Sequence, residues 1–356
     1  MIAVANSRAR KYLAPEVVQT STMDCGPASL KCLLEGFRVP VSYGRLREAC
    51  QTNVDGTSID TLESVAHQLG LDAEQRIIPV DHLALSQAAV LPAIVVMRHA
   101  DTATHFVVVW RRFGSWLQIM DPSVGRRWLH VHRFGEEVFR HEMSVAAPQW
   151  RSWVASEECL TAMRGRFAEI GVSGQDAETR LREALADPGW FPIGALDASL
   201  RLVKSVADAG GIKRGREALD MVKALFRGTR DNGEDIFALV PSSYWTAVPD
   251  SSNTDPSREM LRVSGAVLVG VSGVRAVSEE DTQALPAELA AALTERPDDP
   301  VKTVWRMLRE DGLLAPLAVT TAVGVATAAL SVEALLFRGL FDIATDRKST
   351  RLNSSH

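Results

Sequence analysis

Apolar positions fall into helical spacing twice near the start of the chain. After Cys25, the residues Leu30, Leu33, Leu34 and Phe37 recur three and four apart, and Pro27 sits in the first turn, where its missing N–H costs nothing. A helix is therefore predicted over residues 25–37, with Cys25 at its N-terminus. Thr57-Ser58-Ile59-Asp60 has a capping-box pattern and opens a second helix that runs through Leu62, Val65, Ala66 and Leu69 to a stop at Gly70. The period then changes. Residues 93–97, 106–110 and 116–120 are short β-rich runs separated by Gly, Asp and Thr, which reads as neighbouring strands of one antiparallel sheet. Helices first and strands after them make an α+β unit that closes near Val145.

Residues 150–230 turn alanine- and arginine-rich and read as helical, with breaks at Gly171, Asp187-Pro188-Gly189 and Gly210-Gly211. Leu261, Val263, Val267, Val269 and Val271 then alternate with Arg262, Ser264 and Ser272, a strand pattern that its glycines weaken. This middle region receives a secondary structure but no function. Val301, Val304, Trp305 and Leu308 mark one face of an amphipathic helix carrying Lys302, Arg306 and Arg309, as expected of an interfacial helix on the cytoplasmic side. From Gly312 to Val332 no residue is charged, and a helix of that length reaches about 31 Å, the thickness of a bilayer core. The rival to a transmembrane helix is a buried helix of a soluble domain, which Thr320, Thr321 and Thr327 keep open.

The composition suits folded material: 356 residues, 46% hydrophobic and 23% charged, with room for two domains. A net charge of -5 supplies no basic field to neutralise phosphates, so a nucleic-acid partner is not expected. Cys25, Cys32, Cys50 and Cys159 form no CxxC pair and no disulfide scaffold, and they read as thiols facing a reducing cytosol. The N-terminus has no apolar stretch long enough for a signal peptide before Arg8, Arg10 and Lys11 interrupt it.

Among these features, four residues together suit nucleophilic catalysis. Cys25 at a helix N-terminus has unpaired N–H groups and the helix dipole to favour an anion, provided that Asp24 faces away and caps the helix. His105 opens the strand His105-Phe106-Val107-Val108-Val109, and Asp121 ends the next strand, so a hairpin would bring the carboxylate to the ring N–H and fix its tautomer. Gln19, six residues before Cys25, can offer its amide beside the Cys25 backbone N–H as an oxyanion hole. The order Cys, His, Asp is that of papain-like enzymes, with Asp in the Asn role. Cys32 reads as a core residue, and Cys50 and Cys159 have no partner at metal-ligand spacing. His130-x-His132 reads as a surface strand rather than a metal site, and His67, His82, His99 and His141 receive no role.

The stretch from Gln19 through Thr20-Ser21-Thr22-Met23-Asp24-Cys25-Gly26-Pro27-Ala28-Ser29-Leu30 resembles the nucleophile motif of the C39 peptidases, bacteriocin-processing domains at the N-termini of peptide-exporting ABC transporters. His105–Val109 resembles their histidine motif and Asp121-Pro122-Ser123-Val124-Gly125 their aspartate motif. The resemblance implies Cys25 as nucleophile, His105 as general base and acid, Asp121 as orienting carboxylate and Gln19 as oxyanion donor. It also implies cleavage after a double-glycine-type leader, with no cofactor for the peptidase. Secretion relatives with a degenerate domain lack the cysteine, which makes a non-cleaving substrate-docking module the rival reading; a papain-like deamidase is a third.

The expected layout is a papain-like cysteine peptidase domain over 1–147, a middle region of unassigned role over 148–299, and an interfacial helix with the first transmembrane helix of an α-helical exporter domain over 300–345. Residues 347–356 can be encoded by a stretch that reads like a common sequencing-library adapter, with Asp346 continuing the match, so the native sequence is expected to stop near Thr345. No Gly-x-x-x-x-Gly-Lys-Ser/Thr loop occurs, so ATP and Mg²⁺ are expected only for a nucleotide-binding domain outside this sequence. The same resemblance implies a homodimer in the bacterial cytoplasmic membrane, with the peptidase domain in the cytosol.

Overall fold

Continuous apolar runs, rather than alternating ones, are what a strand shows when both of its faces are covered. The sheet of this protein is built that way. In the computed structural model, which describes residues 10–53, 56–98, 104–231, 237–252, 258–275, 285–295, 300–310 and 314–353, strands β2 (Ala93–Arg98), β3 (Thr104–Phe113) and β4 (Trp116–Asp121) pair antiparallel in sequence order. Ile94, Val108, Trp110 and Met120 point to one face, where helix α1 (Cys25–Gly36) contributes Leu30, Leu33 and Leu34. Val95, Val107, Val109 and Ile119 point to the other and meet Leu83 and Phe134. Packing is close enough on the α1 side that a Cβ on Gly36 would lie 2.0 Å from the Trp110 ring, which explains glycine at the end of that helix.

Around this frame stand α2 (Tyr43–Ala49), α3 (Ile59–Gln68), β1 (Leu71–Ile78), β5 (Gly125–His130), α4 (Val131–Glu137) and β6 (Arg140–Ala146). Ser58 caps α3 by accepting from the Thr61 backbone N–H at 3.1 Å, so the sequence signal at 57–60 is real and its capping residue is the serine. His130 and His132 do not share a strand: β5 ends at His130, whose Nδ1 accepts from the His132 backbone N–H at the start of α4. Cys32, Cys50 and Cys159 are buried thiols, and among the described residues no cluster could hold a metal ion.

The predicted boundary at 147/148 does not divide the structure. The alternating segment at 261–271 is the long strand β8 (Met260–Val274), and it lies between β1 and β2 in the sheet order β1-β8-β2-β3-β4-β5. Its second half pairs with β1 and β2, while its first half pairs with β6 and with the short β7 (Ala247–Pro249). The middle region therefore completes the same sheet, and one compact unit extends to residue 296. Pairing of strands so distant in sequence leaves no local signal, which is why the pattern read as a detached strand.

Between β6 and β8 the chain forms helices α5 (Ala147–Val154), α6 (Glu157–Glu169), α7 (Gly174–Leu185), α8 (Phe191–Asp208) and α9 (Arg216–Asp231), with the breaks at Gly171, 187–189 and 210–211 where they were expected. They enclose a core containing Trp150, Phe167, Trp190, Leu196, Phe226 and Trp245. A fully buried Arg166 ties this module to the sheet-side turn at Asp81: its Nε donates to Asp81 at 2.6 Å and its Nη1 to Asp197 at 2.5 Å, while Arg201 pairs with the same two carboxylates. Helix α10 (Ala287–Thr294) packs by Leu289 into the core beside α1.

The second unit, 297–356, contains α11 (Pro300–Glu310) and α12 (Leu314–Asn353). Val304, Trp305 and Leu308 are exposed on α11. Residues Leu317–Leu340 of α12 have a mean hydropathy of 1.7, and 24 residues of helix reach about 36 Å, enough to cross a bilayer core. This apolar helix is consistent with the start of a membrane domain. It reaches beyond the predicted end at Val332, taking in Glu333 and Arg338, and α12 continues through the residues ascribed to an adapter as far as Asn353. His99, Gly312, Leu313 and residues 354–356 lie outside the described residues.

Two outcomes follow for stability. A chain ending at Ala146 leaves β1 and β2 without the strand that joins them, and it is expected to lack a cooperative thermal transition by circular dichroism, whereas residues 1–296 should show one. Arg166→Met removes the buried cation that Asp81 and Asp197 share and leaves them only Arg201, and should lower stability by about 3 kcal/mol in urea titration of residues 1–296.

Candidate active site

Cys25 is the first residue of α1, and the backbone that precedes it is held on both sides. Asp24, fully buried, accepts from Thr20 Oγ1 at 2.8 Å and from Arg47 Nε at 2.7 Å. Contrary to expectation, it does not cap α1 through its side chain; its charge is taken up by Arg47 on α2 instead. One turn further along α1, Ser29 Oγ donates to the Phe106 carbonyl at 3.3 Å. That bond sets the register of α1 against β3 one residue from His105, so the helix start and the strand start meet.

At this meeting point the Cys25 side chain interacts with His105, and His105 Nε2 lies 2.8 Å from Asp121 Oδ1. His105 and Asp121 are both largely buried, with side chains 12% and 8% exposed. Burial works to lower the His105 pKa, but the hydrogen bonds to Asp121 and Cys25 outweigh it and raise it to about 9. Burial likewise opposes ionisation of Asp121, yet His105 and Ser123 hold its carboxyl well below the usual carboxylate range. The imidazole is thereby kept protonated, with Nε2 held toward the Asp121 carboxylate.

The β4–β5 turn presents Asp121. Ser123 donates to Asp121 Oδ1 from its backbone N–H at 3.0 Å and from its hydroxyl at 2.6 Å, and the turn closes at Gly125, whose φ of +95° suits glycine. Gln19 is bound to the same turn, since its backbone N–H donates to the Pro122 carbonyl at 2.9 Å. Its side-chain Oε1 is enclosed and has no hydrogen-bond partner among the described residues. The two ends of a carboxamide have nearly the same shape, so a half-turn puts Nε2 at that enclosed position. The four residues singled out in the sequence thus all lie on α1, on the ends of β3 and β4, or on the segment bound to their turn.

Sequence reading missed three partners: Arg47 and Ser123, already described, and Arg127. Arg127 Nη2 lies 3.0 Å from Asp121 Oδ2 and 3.9 Å from Glu137 on α4. Asp121 faces Gly125 across the hairpin, and Arg127 is two residues on, on the same side of β5. Extending the predicted hairpin by one strand would have found it as a diagonal neighbour.

The Peptidase C39 family matches residues 14–148, the stretch that holds all four candidate residues. Residues 14–148 are thus a C39-like segment. The C39 segment of this chain is 28% identical over 121 residues to the lactococcin-G-processing and transport ATP-binding protein LagD of Lactococcus lactis subsp. lactis, covering 34% of this chain and 17% of that protein. Against the pediocin PA-1 transport/processing ATP-binding protein PedD of Pediococcus acidilactici the identity is 33% over 113 residues, covering 32% and 15%. Among solved structures, the peptidase domain of Streptococcus ComA, a bi-functional ABC transporter, aligns at 28% identity and a TM-score of 0.33, over 35% of this chain and 90% of that domain. The chain matches less than a fifth of the length of these two curated relatives. The C39 match ends at 148, at the junction of β6 and α5, while the sheet it belongs to is completed by β8.

The His105 environment sets a pH dependence. Its raised pKa means that the imidazolium persists through neutrality and is lost as pH rises through about 9, so the alkaline limb of kcat/KM should fall there. Asp121→Asn removes the carboxylate that raises it, and the limb should move down toward the ordinary histidine range near 6.5; pH–rate profiles of the two proteins measure the difference.

Proposed function

We propose that the 1–296 unit is a cysteine endopeptidase that removes the leader of a bacteriocin-like precursor peptide after a Gly-Gly-type pair, in a chain that continues into an ABC exporter. The observation that carries this reading is the 2.8 Å hydrogen bond between His105 and Asp121, with Cys25 interacting with the same imidazole, inside a C39-like segment. In this reading the Cys25 thiolate attacks the backbone carbonyl of the second residue of the small pair. The developing oxyanion is met by the Cys25 backbone N–H and the Gln19 amide, and His105 gives its proton to the leaving amine. Water, deprotonated by His105, then hydrolyses the thioester and frees the leader. Asp121 stays ionised throughout and orients the ring.

The curated relatives named above are processing and transport proteins, which supports coupling of cleavage to export. The apolar helix Leu317–Leu340 supports a membrane location, with the peptidase unit on the cytosolic side where its thiols stay reduced. ATP and Mg²⁺ belong to a nucleotide-binding domain of such an exporter, and the peptidase step uses neither. An exporter of this kind works as a homodimer.

A pair of small residues offers a pocket almost nothing to grip, so selection must come by exclusion and affinity from an amphipathic leader helix bound elsewhere on the domain. With residues 1–296 and a co-encoded precursor, Cys25→Ala should abolish cleavage while the circular dichroism spectrum is unchanged. Replacing the residue before the cut by Leu should nearly stop turnover. Changing one apolar leader anchor to Asp should lower kcat/KM by roughly 1–3 kcal/mol of transition-state binding. Cleavage by the Ala variant would remove Cys25 as nucleophile, and equal rates with Gly and Leu would assign the site to another hydrolysis.

A further inference from the structure

The geometry points to Arg127 as a positioning residue that fixes the Asp121 carboxylate from the side opposite His105 and sets how strongly that carboxylate holds the imidazolium. The inference rests on the peptidase reading of the same site. Asp121 is gripped at both oxygens: Oδ1 accepts from His105 and from the Ser123 N–H and hydroxyl, while Oδ2 lies 3.0 Å from Arg127 Nη2. Ser123 fixes where the carboxylate sits but adds no charge. Arg127 adds one.

The charged and titratable groups facing this carboxylate come from four elements. They are Cys25 on α1, His105 on β3, Arg127 on β5, and Glu137 on α4, which lies 3.9 Å from the guanidinium and is itself paired with Arg133 at 2.9 Å. With a thiolate at Cys25, charges alternate along Cys25, His105, Asp121 and Arg127. Asp121 is thereby shared between two cations, and its pull on the imidazolium is weaker than if His105 had it alone. An over-stabilised imidazolium is a poor acid for the leaving amine, so the shared carboxylate favours proton release at the step that needs it.

The sign of the effect follows from charge. Removing Arg127 takes a positive charge from the cluster, so every proton in it is held more tightly and both limbs of the pH profile move up. Arg127→Gln in residues 1–296 should shift the alkaline limb of kcat/KM upward by about 0.5 pH unit and lower kcat several-fold at neutral pH with KM little changed. Arg127→Lys should restore most of both, since it returns the charge. A parallel measurement, the pH dependence of Cys25 alkylation by iodoacetamide, uses no peptide substrate and should show the same upward shift in the Gln variant. If neither profile moves, or if Lys fails to restore what Gln loses, Arg127 is only a structural contact and the inference falls. If the parent alkylates at Cys25 with the expected profile yet cleaves no precursor, the peptidase reading fails while the role of Arg127 stands or falls on the alkylation data.

Discussion

Strands β1 and β2 cannot satisfy their backbone groups with each other, because β8 lies between them. Each unpaired N–H or carbonyl left in such a covered sheet would cost on the order of 1–3 kcal/mol, so the sheet does not close until residues near 270 arrive. The geometry of Cys25, His105 and Asp121 inherits this dependence. His105 is positioned by pairing with Met97 of β2, β2 is completed by β8, and α1 packs on the face to which Val269 and Val271 of β8 contribute. Cys25 and His105 are therefore held in register partly by a strand more than a hundred residues away in the chain.

The Asp121 turn is the second point of convergence. It ties together the N-terminal segment through Gln19, β3 through His105, its own loop through Ser123 and the edge strand through Arg127. A buried carboxylate is costly unless its oxygens are met, and here His105, Ser123 and Arg127 meet both of them. The same arithmetic explains Asp24. Buried beside Cys25, that carboxylate has Arg47 to neutralise it and Thr20 on its other oxygen.

Much of this was legible in the sequence, because the signals were local. The spacing of Leu30, Leu33 and Leu34, the cap at Ser58 and the β-rich runs around Val95, Val108 and Ile119 each specify an element from its own residues. Cys25, His105, Asp121 and Gln19 sit where those elements begin and end. What was not legible depended on pairing at long range. Nothing near Val269 says that it lies against Ile94, and nothing near Arg166 says that its carboxylates are Asp81 and Asp197. His130 and His132 failed for the opposite reason, since a strand ending and a helix beginning within three residues leave too short a pattern for either period to register.

The long segment between β6 and β8 is easier to accommodate than its length suggests. Its two ends are neighbours in the ladder: Ala146 faces Met260, and the Ala147 N–H donates to the Glu259 carbonyl at 2.9 Å. Topologically, residues 147–259 are the tip of a β6–β8 hairpin enlarged into a helical module. Closing a larger loop adds only about 0.6 kcal/mol per doubling of length, and this one has a core of its own around Trp190 and Trp245 to offset the ordering of its chain. The strict condition is that the module return the chain to the position from which it left. The cluster of Arg166, Arg201, Asp81 and Asp197 bears on that condition, because it clamps the module's helices against a turn that precedes β2. A module free to swing on the hairpin would pull on β8, and through β8 on the strand that aligns His105. Buried ion pairs contribute little net stability compared with apolar packing, but they tolerate few alternative geometries, and a fixed geometry is what this junction needs.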